Sequence, residues 1–166
     1  MVENKMGKNI YEETISAKWM TVSFAVITII FFSVFLYQLL TGPIGADPAP
    51  DVLWLVLALL FFSLTLNFRK LKINISSEGI SAGYGIFKST ISWEKLEEVY
   101  LDETSTARYG GWGIRVSRVE GNWRLVYNVI GGPRVVISSK DGFFKDLAFS
   151  TKNPEEVIEI IEDNRN

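Results

Sequence analysis

A run of 17 uncharged and mostly apolar residues, Val52–Phe68, passes directly into a segment of a different kind. Three cations follow it within four positions, at Arg69, Lys70 and Lys72. From Leu71 onward, apolar residues occupy every second position, which is the period of a β-strand with one buried face. The sequence therefore predicts a helix that is followed by a strand with almost no linker.

A second apolar run, Trp19–Leu40, precedes the first. Its 22 residues would span about 33 Å as a helix and those of Val52–Phe68 about 25 Å, against a hydrocarbon core of about 30 Å. Both runs are apolar around the whole helix, and the connecting segment 41–51 is rich in proline and glycine. A signal peptide or a buried helix of a soluble protein are alternatives, but two such runs in succession favour a transmembrane helical hairpin.

Cations flank only the outer ends of this hairpin, at Lys8, Lys18, Arg69, Lys70 and Lys72, and the loop between the two runs has none. Positive charge is retained on the cytoplasmic side of a membrane. We therefore expect a multi-pass protein of the cell (inner) membrane with both termini in the cytoplasm.

Residues 1–18 form a polar cytoplasmic segment, which we expect to be a short, partly ordered tail. Its few apolar residues, Ile10, Tyr11 and Ile15, would either extend the following helix or lie along the membrane surface.

The composition excludes several kinds of chemistry. The chain has no Cys and no His, which removes thiolate nucleophiles, Cys/His zinc sites and histidine acid–base catalysis. Residues 69–166 carry 14 basic and 14 acidic side chains, so no basic surface attracts nucleic acid. We expect no catalytic, metal-binding or cofactor-binding residues, and no enzyme activity.

Residues 69–166 alternate like antiparallel hairpins, with predicted turns at Glu78-Gly79, Gly121-Asn122 and Asp141-Gly142. The first turn places Ile75 opposite Ala82, and the second places Val116 opposite Tyr127. The third hairpin has an untidy face pattern, for which we expect a β-bulge. The face predicted to be polar and solvated in the second hairpin carries four residues: Arg115, Ser117, Arg124 and Asn128.

Further strands are predicted over Phe87–Trp93 and Glu97–Glu103, the latter with Val99 and Leu101 pointing inward. A final helix begins after Asn153, which is suited to cap it, with Pro154 at its first position. About seven antiparallel strands and this helix predict a small barrel with a C-terminal capping helix.

Three motifs carry a family resemblance: ISSEGISAGYG after the second apolar run, TISWEKLEEVYL, and VVISSKDG followed by LAFSTKNPEEVIEII. In this order the chain resembles small prokaryotic membrane proteins with a two-helix hairpin and a bacterial pleckstrin-homology-like (PH-like) domain. The resemblance covers about 71–163. It implies a mainly-β PH-like barrel plugged by the C-terminal helix, and it implies no ligand.

Two segments are candidate binding sites. Arg69, Lys70 and Lys72 suit contact with anionic lipid head groups, although a topology signal alone explains them as well. The segment RYGGWGIR combines glycines, aromatics and cations as binding loops do, and its candidate partner-binding residues are Arg108, Tyr109, Trp112 and Arg115. The alternative is a loop entering a strand, with Trp112 in the core.

Other charged residues have plainer interpretations. Arg115, Arg118 and Arg124 form either a basic patch or a solvated strand face. Glu97, Glu98, Asp102 and Glu103 are interpreted as an exposed strand and loop.

Two classes of function remain. The first is a membrane-tethered, non-catalytic interaction module that binds a protein or lipid at the cytoplasmic face of the membrane through its PH-like domain. The second is a small subunit or regulator of a membrane protein complex, with contacts made by the helical hairpin, where hydroxyls such as those of Thr28, Ser63 and Thr65 support helix packing. A transporter is disfavoured because the apolar runs hold no ionisable residue at mid-depth.

Overall fold

The computed structural model describes residues 8–45 and 47–165 and divides the chain into two compact units. One unit is helical and comprises Ala17–Arg69. The other combines an N-terminal strand with the chain from Lys70 onward, and is called the β domain below.

The helical unit contains the two long apolar helices that the sequence predicts. Helix α1 covers Lys18–Thr41 and α2 covers Asp51–Phe68. They pack through aromatic contacts such as Phe31–Phe61, whose ring centroids are 5.5 Å apart. Both helices are long and apolar enough to cross a membrane, with mean hydropathies of 2.3 and 2.0. Apolar side chains are exposed over most of their surface, unlike those of core helices in a soluble protein.

The predicted N-terminal tail is wrong for the part that the structure describes. Strand β1 covers Asn9–Ser16 and pairs antiparallel with the strand that follows α2, while residues 1–7 of the expected tail lie outside the described residues. One of the inward-facing positions of β1 is occupied by the charged residue Glu13, so the sequence of β1 does not show the usual alternation of apolar and polar residues. The Glu13 carboxylate accepts hydrogen bonds from the Thr151 hydroxyl at 2.6 Å and the Lys152 N–H at 3.0 Å, which explains its burial.

A four-stranded antiparallel sheet has the order β1-β2-β3-β4, with β2 at Lys70–Ser76, β3 at Gly79–Tyr84 and β4 at Phe87–Ser92. Its buried face carries Leu71, Ile73, Ile75, Ile80, Ala82 and Tyr84.

The first predicted turn is displaced by one residue. The turn is Ser77-Glu78, so Ile75 pairs with Ile80 and not with Ala82. This shift of two positions in register leaves every side chain on its predicted face. Gly79 is the first residue of β3 and pairs with Ser76. Strand β4 approaches it closely, and a Cβ there would lie 2.3 Å from the Ile91 carbonyl oxygen.

A five-stranded sheet follows a short 3₁₀ turn at Trp93–Lys95. Its strands are β5 (Leu96–Leu101), β6 (Gly113–Val119), β7 (Asn122–Asn128), β8 (Arg134–Ser139) and β9 (Asp146–Ser150), in the order β5-β8-β9-β7-β6. Strands β7 and β9 run parallel, so the strands are not all antiparallel as predicted. The nine described strands form two sheets and do not close into the predicted barrel.

Two further hairpin predictions are wrong in register. The turn between β6 and β7 is Glu120-Gly121, so Val116 pairs with Leu125. In the third hairpin the loop 140–145 is longer than the predicted two-residue turn, and the β8–β9 register is uninterrupted, without the expected bulge. The predicted inward position of Leu101 is also wrong, since this side chain is exposed.

Helix α3, Pro154–Asn164, ends the described chain and packs against β5 and β8. Pro154 occupies the first turn as predicted, and Val157 and Ile161 are fully buried. Asn153 precedes the helix, but its side chain donates to the Glu156 carboxylate at 2.9 Å and does not accept from a backbone N–H of the first turn.

Candidate interaction site

Four charged side chains lie together beneath the loop that joins β5 to β6, residues 102–112. Arg124, Arg134 and Asp146 come from β7, β8 and β9, and Asp102 directly follows β5. Their side chains are only 1–7% exposed, and ion pairs join them at 2.7–3.4 Å. We call these four residues the buried charge cluster.

Arg124 is the centre of the buried charge cluster. Its Nε and Nη2 donate to Asp146 Oδ2 at 3.1 and 2.9 Å. Nη2 also donates to the Tyr100 hydroxyl at 2.8 Å, while Nη1 donates to the Tyr109 hydroxyl at 2.8 Å and to Asp102 Oδ1 at 3.4 Å. These five contacts match the five N–H donors of a guanidinium, so Arg124 is saturated within the protein.

Arg134 fixes the loop above the buried charge cluster. Its Nε donates to Asp102 Oδ2 at 2.7 Å, its Nη1 to the Thr106 hydroxyl at 2.9 Å, and its Nη2 to the Thr104 carbonyl. The guanidinium also lies 5.2 Å from the centre of the Tyr109 ring. Three residues of the loop are thus held by one side chain of β8.

The electrostatics of the buried charge cluster favour its ionised form. Burial by itself would raise the pKa of Asp102, but hydrogen bonds from Arg134, Thr104 and Tyr109 outweigh it and hold this pKa below its ordinary value. Burial would likewise lower the pKa of Arg124, yet hydrogen bonds with Tyr109 and Asp146 raise it. Burial raises the pKa of Tyr109, which keeps its hydroxyl proton for Asp102. The two positive and two negative charges balance, so the arrangement suits a rigid scaffold for the loop better than a reacting centre.

The four residues predicted for the partner-binding loop differ in their exposure to solvent. Tyr109 is buried and hydrogen-bonded to the buried charge cluster, whereas Arg108, Trp112 and Arg115 are exposed. The alternative, with Trp112 in the core, is wrong, because Trp112 is 45% exposed. Arg115 Nε donates to the Gly110 carbonyl at 3.3 Å. Three exposed residues therefore remain available at this end of β6.

Sequence reasoning missed the buried charge cluster. Arg124 and Asn128 were expected on a solvated face and Asp102 in an exposed loop, but all three side chains are buried. A usable signal was present: Val135-Val136-Ile137 and Leu147-Ala148-Phe149 are consecutive apolar residues, which indicate strands covered on both faces. The charges that adjoin such strands, Arg134 and Asp146, must then be paired.

An exposed aromatic surface lies on the other face of the five-stranded sheet. Trp123 and Phe143 stack with ring centroids 6.4 Å apart and planes 12° apart, and Phe144 meets Phe143 edge-on at 5.0 Å. We call these three residues the aromatic ridge. Trp123 is 44% exposed and Phe143 is 76% exposed.

A groove of about 270 Å³ runs beside the aromatic ridge. Its walls include Phe143 and Phe144, the apolar side chains of Leu125 and Leu147, and the β4 segment 89–91. The surface combines large apolar side chains with a concave neighbour, which is the usual form of a recognition site.

The basic residues after α2 lie on the surface and do not converge on a common binding site. Arg69, Lys70 and Lys72 are exposed, and Lys70 and Lys72 lie on the outer face of β2. Among the described residues, no group of acidic side chains is arranged to hold a metal ion.

Compared with models of protein families, with curated proteins and with solved structures, the chain matches none.

Proposed function

We propose that this chain is a multi-pass protein of the inner membrane whose β domain is a non-catalytic, PH-like interaction module at the cytoplasmic face. The observation that carries the proposal is the aromatic ridge beside its groove. In this proposal the aromatic ridge is the contact surface for a partner protein, and the helical hairpin holds the module at the membrane.

The exposed area of the aromatic ridge supports a binding role. A large aromatic side chain buries about 150–250 Å² when fully covered. Covering the exposed 76% of Phe143 at about 25 cal/mol per Å² would contribute about 3–5 kcal/mol before the costs of association. Aromatic anchors of this kind dominate the energetics of many interfaces.

The scaffold beneath the surface also supports a module that presents loops and side chains rather than one that reacts. The two arginines of the buried charge cluster donate hydrogen bonds that hold the loop 102–112 in place. Two sheets followed by a C-terminal helix that packs on one of them agree with the PH-like resemblance.

The hairpin alternative receives less support. The hydroxyls of Thr28, Ser63 and Thr65 each donate to the carbonyl four residues earlier in their own helix at 2.8 Å. They are therefore satisfied without a partner helix.

Cross-linking and capture of the full chain from native membranes tests the proposed contact surface. We expect the double substitution Trp123→Ala and Phe143→Ala to lower the yield of the captured partner by about tenfold or more, because interface aromatics typically contribute 2 kcal/mol or more. Ile130→Ala is the control, since Ile130 is a large apolar residue outside the aromatic ridge and is 46% exposed against 44% for Trp123. Capture that survives the double substitution but is lost when hairpin residues are changed would favour the membrane-complex alternative.

The absence of cysteine makes the proposed topology directly measurable. Single cysteines are introduced by Ile44→Cys in the α1–α2 connection and by Glu78→Cys in the β2–β3 turn, both at exposed positions. In spheroplasts, a membrane-impermeant maleimide should label the first and reach the second only after lysis. The opposite pattern would contradict the orientation, and equal labelling of both before lysis would contradict a spanning hairpin.

A further inference from the structure

Strand β6 is an edge of the five-stranded sheet and pairs only with β7 among the described strands. The β6–β7 hairpin closes through the two-residue turn Glu120-Gly121, both at positive φ (52° and 90°). In such a hairpin alternate residues direct their backbone N–H and C=O groups toward the partner strand, beginning with the pair next to the turn. Counting from Val119, the backbone groups of Arg118, Val116 and Ile114 point away from β7.

This outer edge already accepts hydrogen bonds. The Arg115 guanidinium folds back and donates from Nη1 to the Ile114 carbonyl at 3.3 Å. The side chain thereby occupies a position that the N–H of an added strand would take. An exposed edge with unpaired backbone groups is a template for a further strand unless it is blocked.

One face of the edge strand carries an exposed apolar side chain. Val116 is 50% exposed, and it pairs across the ladder with Leu125, which lines the groove. Trp123 lies two positions from Leu125 on the same face, within the reach of diagonal contacts in a sheet. Every second side chain of an added strand would therefore lie beside Val116 and Arg118, and the others would lie on the face that carries Arg115.

The charge of the edge is positive and not neutralised by ion pairs. Strand β6 carries Arg115 and Arg118 and no acidic residue. The ion pairs found among the described residues all belong to the buried charge cluster. Arg118 Nε, like the guanidinium of Arg115, donates to a backbone carbonyl, that of Gly121, at 3.2 Å. An anionic partner would complement this edge.

Resting on the proposed interaction module, we infer that β6 binds an extended acidic segment of the partner protein by strand addition. Its backbone pairs with Ile114, Val116 and Arg118. Its carboxylates lie on the face of the sheet that carries Arg115, and its apolar side chains lie on the opposite face beside Val116, where Arg118 adds positive charge next to the turn. A lipid surface is the poorer occupant, because a strand edge placed in hydrocarbon would leave backbone N–H and C=O groups unsatisfied at several kcal/mol each.

Fluorescence anisotropy with the full chain in detergent micelles tests strand addition. The probes are short labelled peptides in which glutamate alternates with valine or tryptophan. Matched probes carry lysine in place of glutamate or N-methyl groups on alternate backbone amides. We expect the glutamate peptides to bind at least about tenfold more tightly than either matched probe, since strand addition draws its affinity from main-chain hydrogen bonds and the edge is cationic.

Variants of the protein test whether the peptide binds at β6. The double substitution Arg115→Glu and Arg118→Glu should weaken binding of the glutamate peptides by about tenfold or more and reverse the preference for glutamate over lysine. Arg165→Glu, at an exposed arginine after α3, is the matched control and should leave binding unchanged. Circular dichroism of each variant separates loss of binding from loss of the fold.

Several outcomes would overturn strand addition: no binding by any of the peptides, equal binding of the N-methylated and unmodified probes, or binding insensitive to the two arginines. Capture of anionic phospholipid vesicles that depends on Arg115 and Arg118, without peptide binding, would assign the edge to lipid instead. If partner capture from membranes still depends on Trp123 while these peptide tests fail, the inference fails and the proposed function stands. If capture does not depend on the aromatic ridge, the proposed function itself fails.

Discussion

Replacing Arg124 by methionine is expected to lower the free energy of unfolding of the β domain by about 3–5 kcal/mol. The guanidinium makes five hydrogen bonds inside the buried charge cluster, to Asp102, Asp146, Tyr100 and Tyr109. Methionine fills a similar volume, so the cost comes mainly from leaving two carboxylates that are 1% and 5% exposed without this cation. Asp102 keeps Arg134, but among the described residues Asp146 keeps only the Ser138 hydroxyl as a side-chain partner, at 2.9 Å.

Urea unfolding of the full chain in detergent micelles measures this loss. Tryptophan fluorescence reports on the β domain when Trp19 and Trp54 of the helices are replaced by phenylalanine. Arg118→Met is the matched control: it removes an exposed arginine from the neighbouring strand and should change the free energy of unfolding by less than about 0.5 kcal/mol. Equal effects of the two substitutions would show that the buried charge cluster contributes no more than a surface charge.

The same substitution should loosen the loop 102–112 selectively. Tyr109 loses the donor to its hydroxyl, and Asp102 loses one of its two arginines. Amide hydrogen exchange in this loop should therefore accelerate more than exchange in the four-stranded sheet, which makes no contact with Arg124 through these bonds. Uniform acceleration across the β domain would mean that the loop has no local stability of its own.

Most strands of the β domain after α2 are predictable from the sequence, but their pairing is not. Alternation between apolar and polar residues has a period of two, so it assigns each side chain to a face and leaves the register undetermined by any even number of positions. The turns predicted at Glu78-Gly79 and Gly121-Asn122 are each displaced by one residue in the structure, which shifts the register by two. Gly79 is required both by the close approach of the Ile91 carbonyl oxygen and by its own positive φ of 146°, although it is not one of the two turn residues.

The buried charge cluster escaped prediction for a related reason. Arg124 alternates with Trp123 and Leu125, and the pattern alone favours the apolar pair as the buried face. The loop 102–112 reverses this result by covering the other face with Tyr109, which packs on Val126, Val136 and Ala148. Which face a loop covers depends on contacts distant in sequence, and the period of a single strand holds no information about them.

Strand β1 and the mixed sheet were not predicted because their strand pairs are distant along the chain. Strand β1 pairs with β2 across the whole helical unit, from Ser16 to Lys70. Strand β9 inserts between β8 and β7, which makes its pairing with β7 parallel. Hairpin reasoning joins only neighbouring strands and therefore arrives at a simple antiparallel order.

Substituting Asp102 by asparagine is expected to be comparably damaging, with a loss of about 3–5 kcal/mol near neutral pH, because it removes the carboxylate that two buried arginines share. The carboxylate accepts from Arg134, Arg124, Tyr109 and the Thr104 N–H. An asparagine at this position has one acceptor oxygen in place of two and directs its NH₂ group toward donors. Asp163→Asn, at an exposed position in α3, is the matched control and should change the free energy of unfolding by less than about 0.5 kcal/mol.

The effect of Asp102→Asn should depend on pH in a defined direction. The pKa of Asp102 is lower in the folded chain than its ordinary value of 3.8, so folding favours the ionised carboxylate. This contribution to stability is present above the ordinary value and is lost as the pH falls below it, through the folded-state pKa. The difference in free energy of unfolding between the wild type and Asp102→Asn should therefore be largest near neutral pH and shrink below about pH 4. Urea titrations across this range measure that difference, and a gap that stays constant would show that Asp102 contributes through shape and not through its charge.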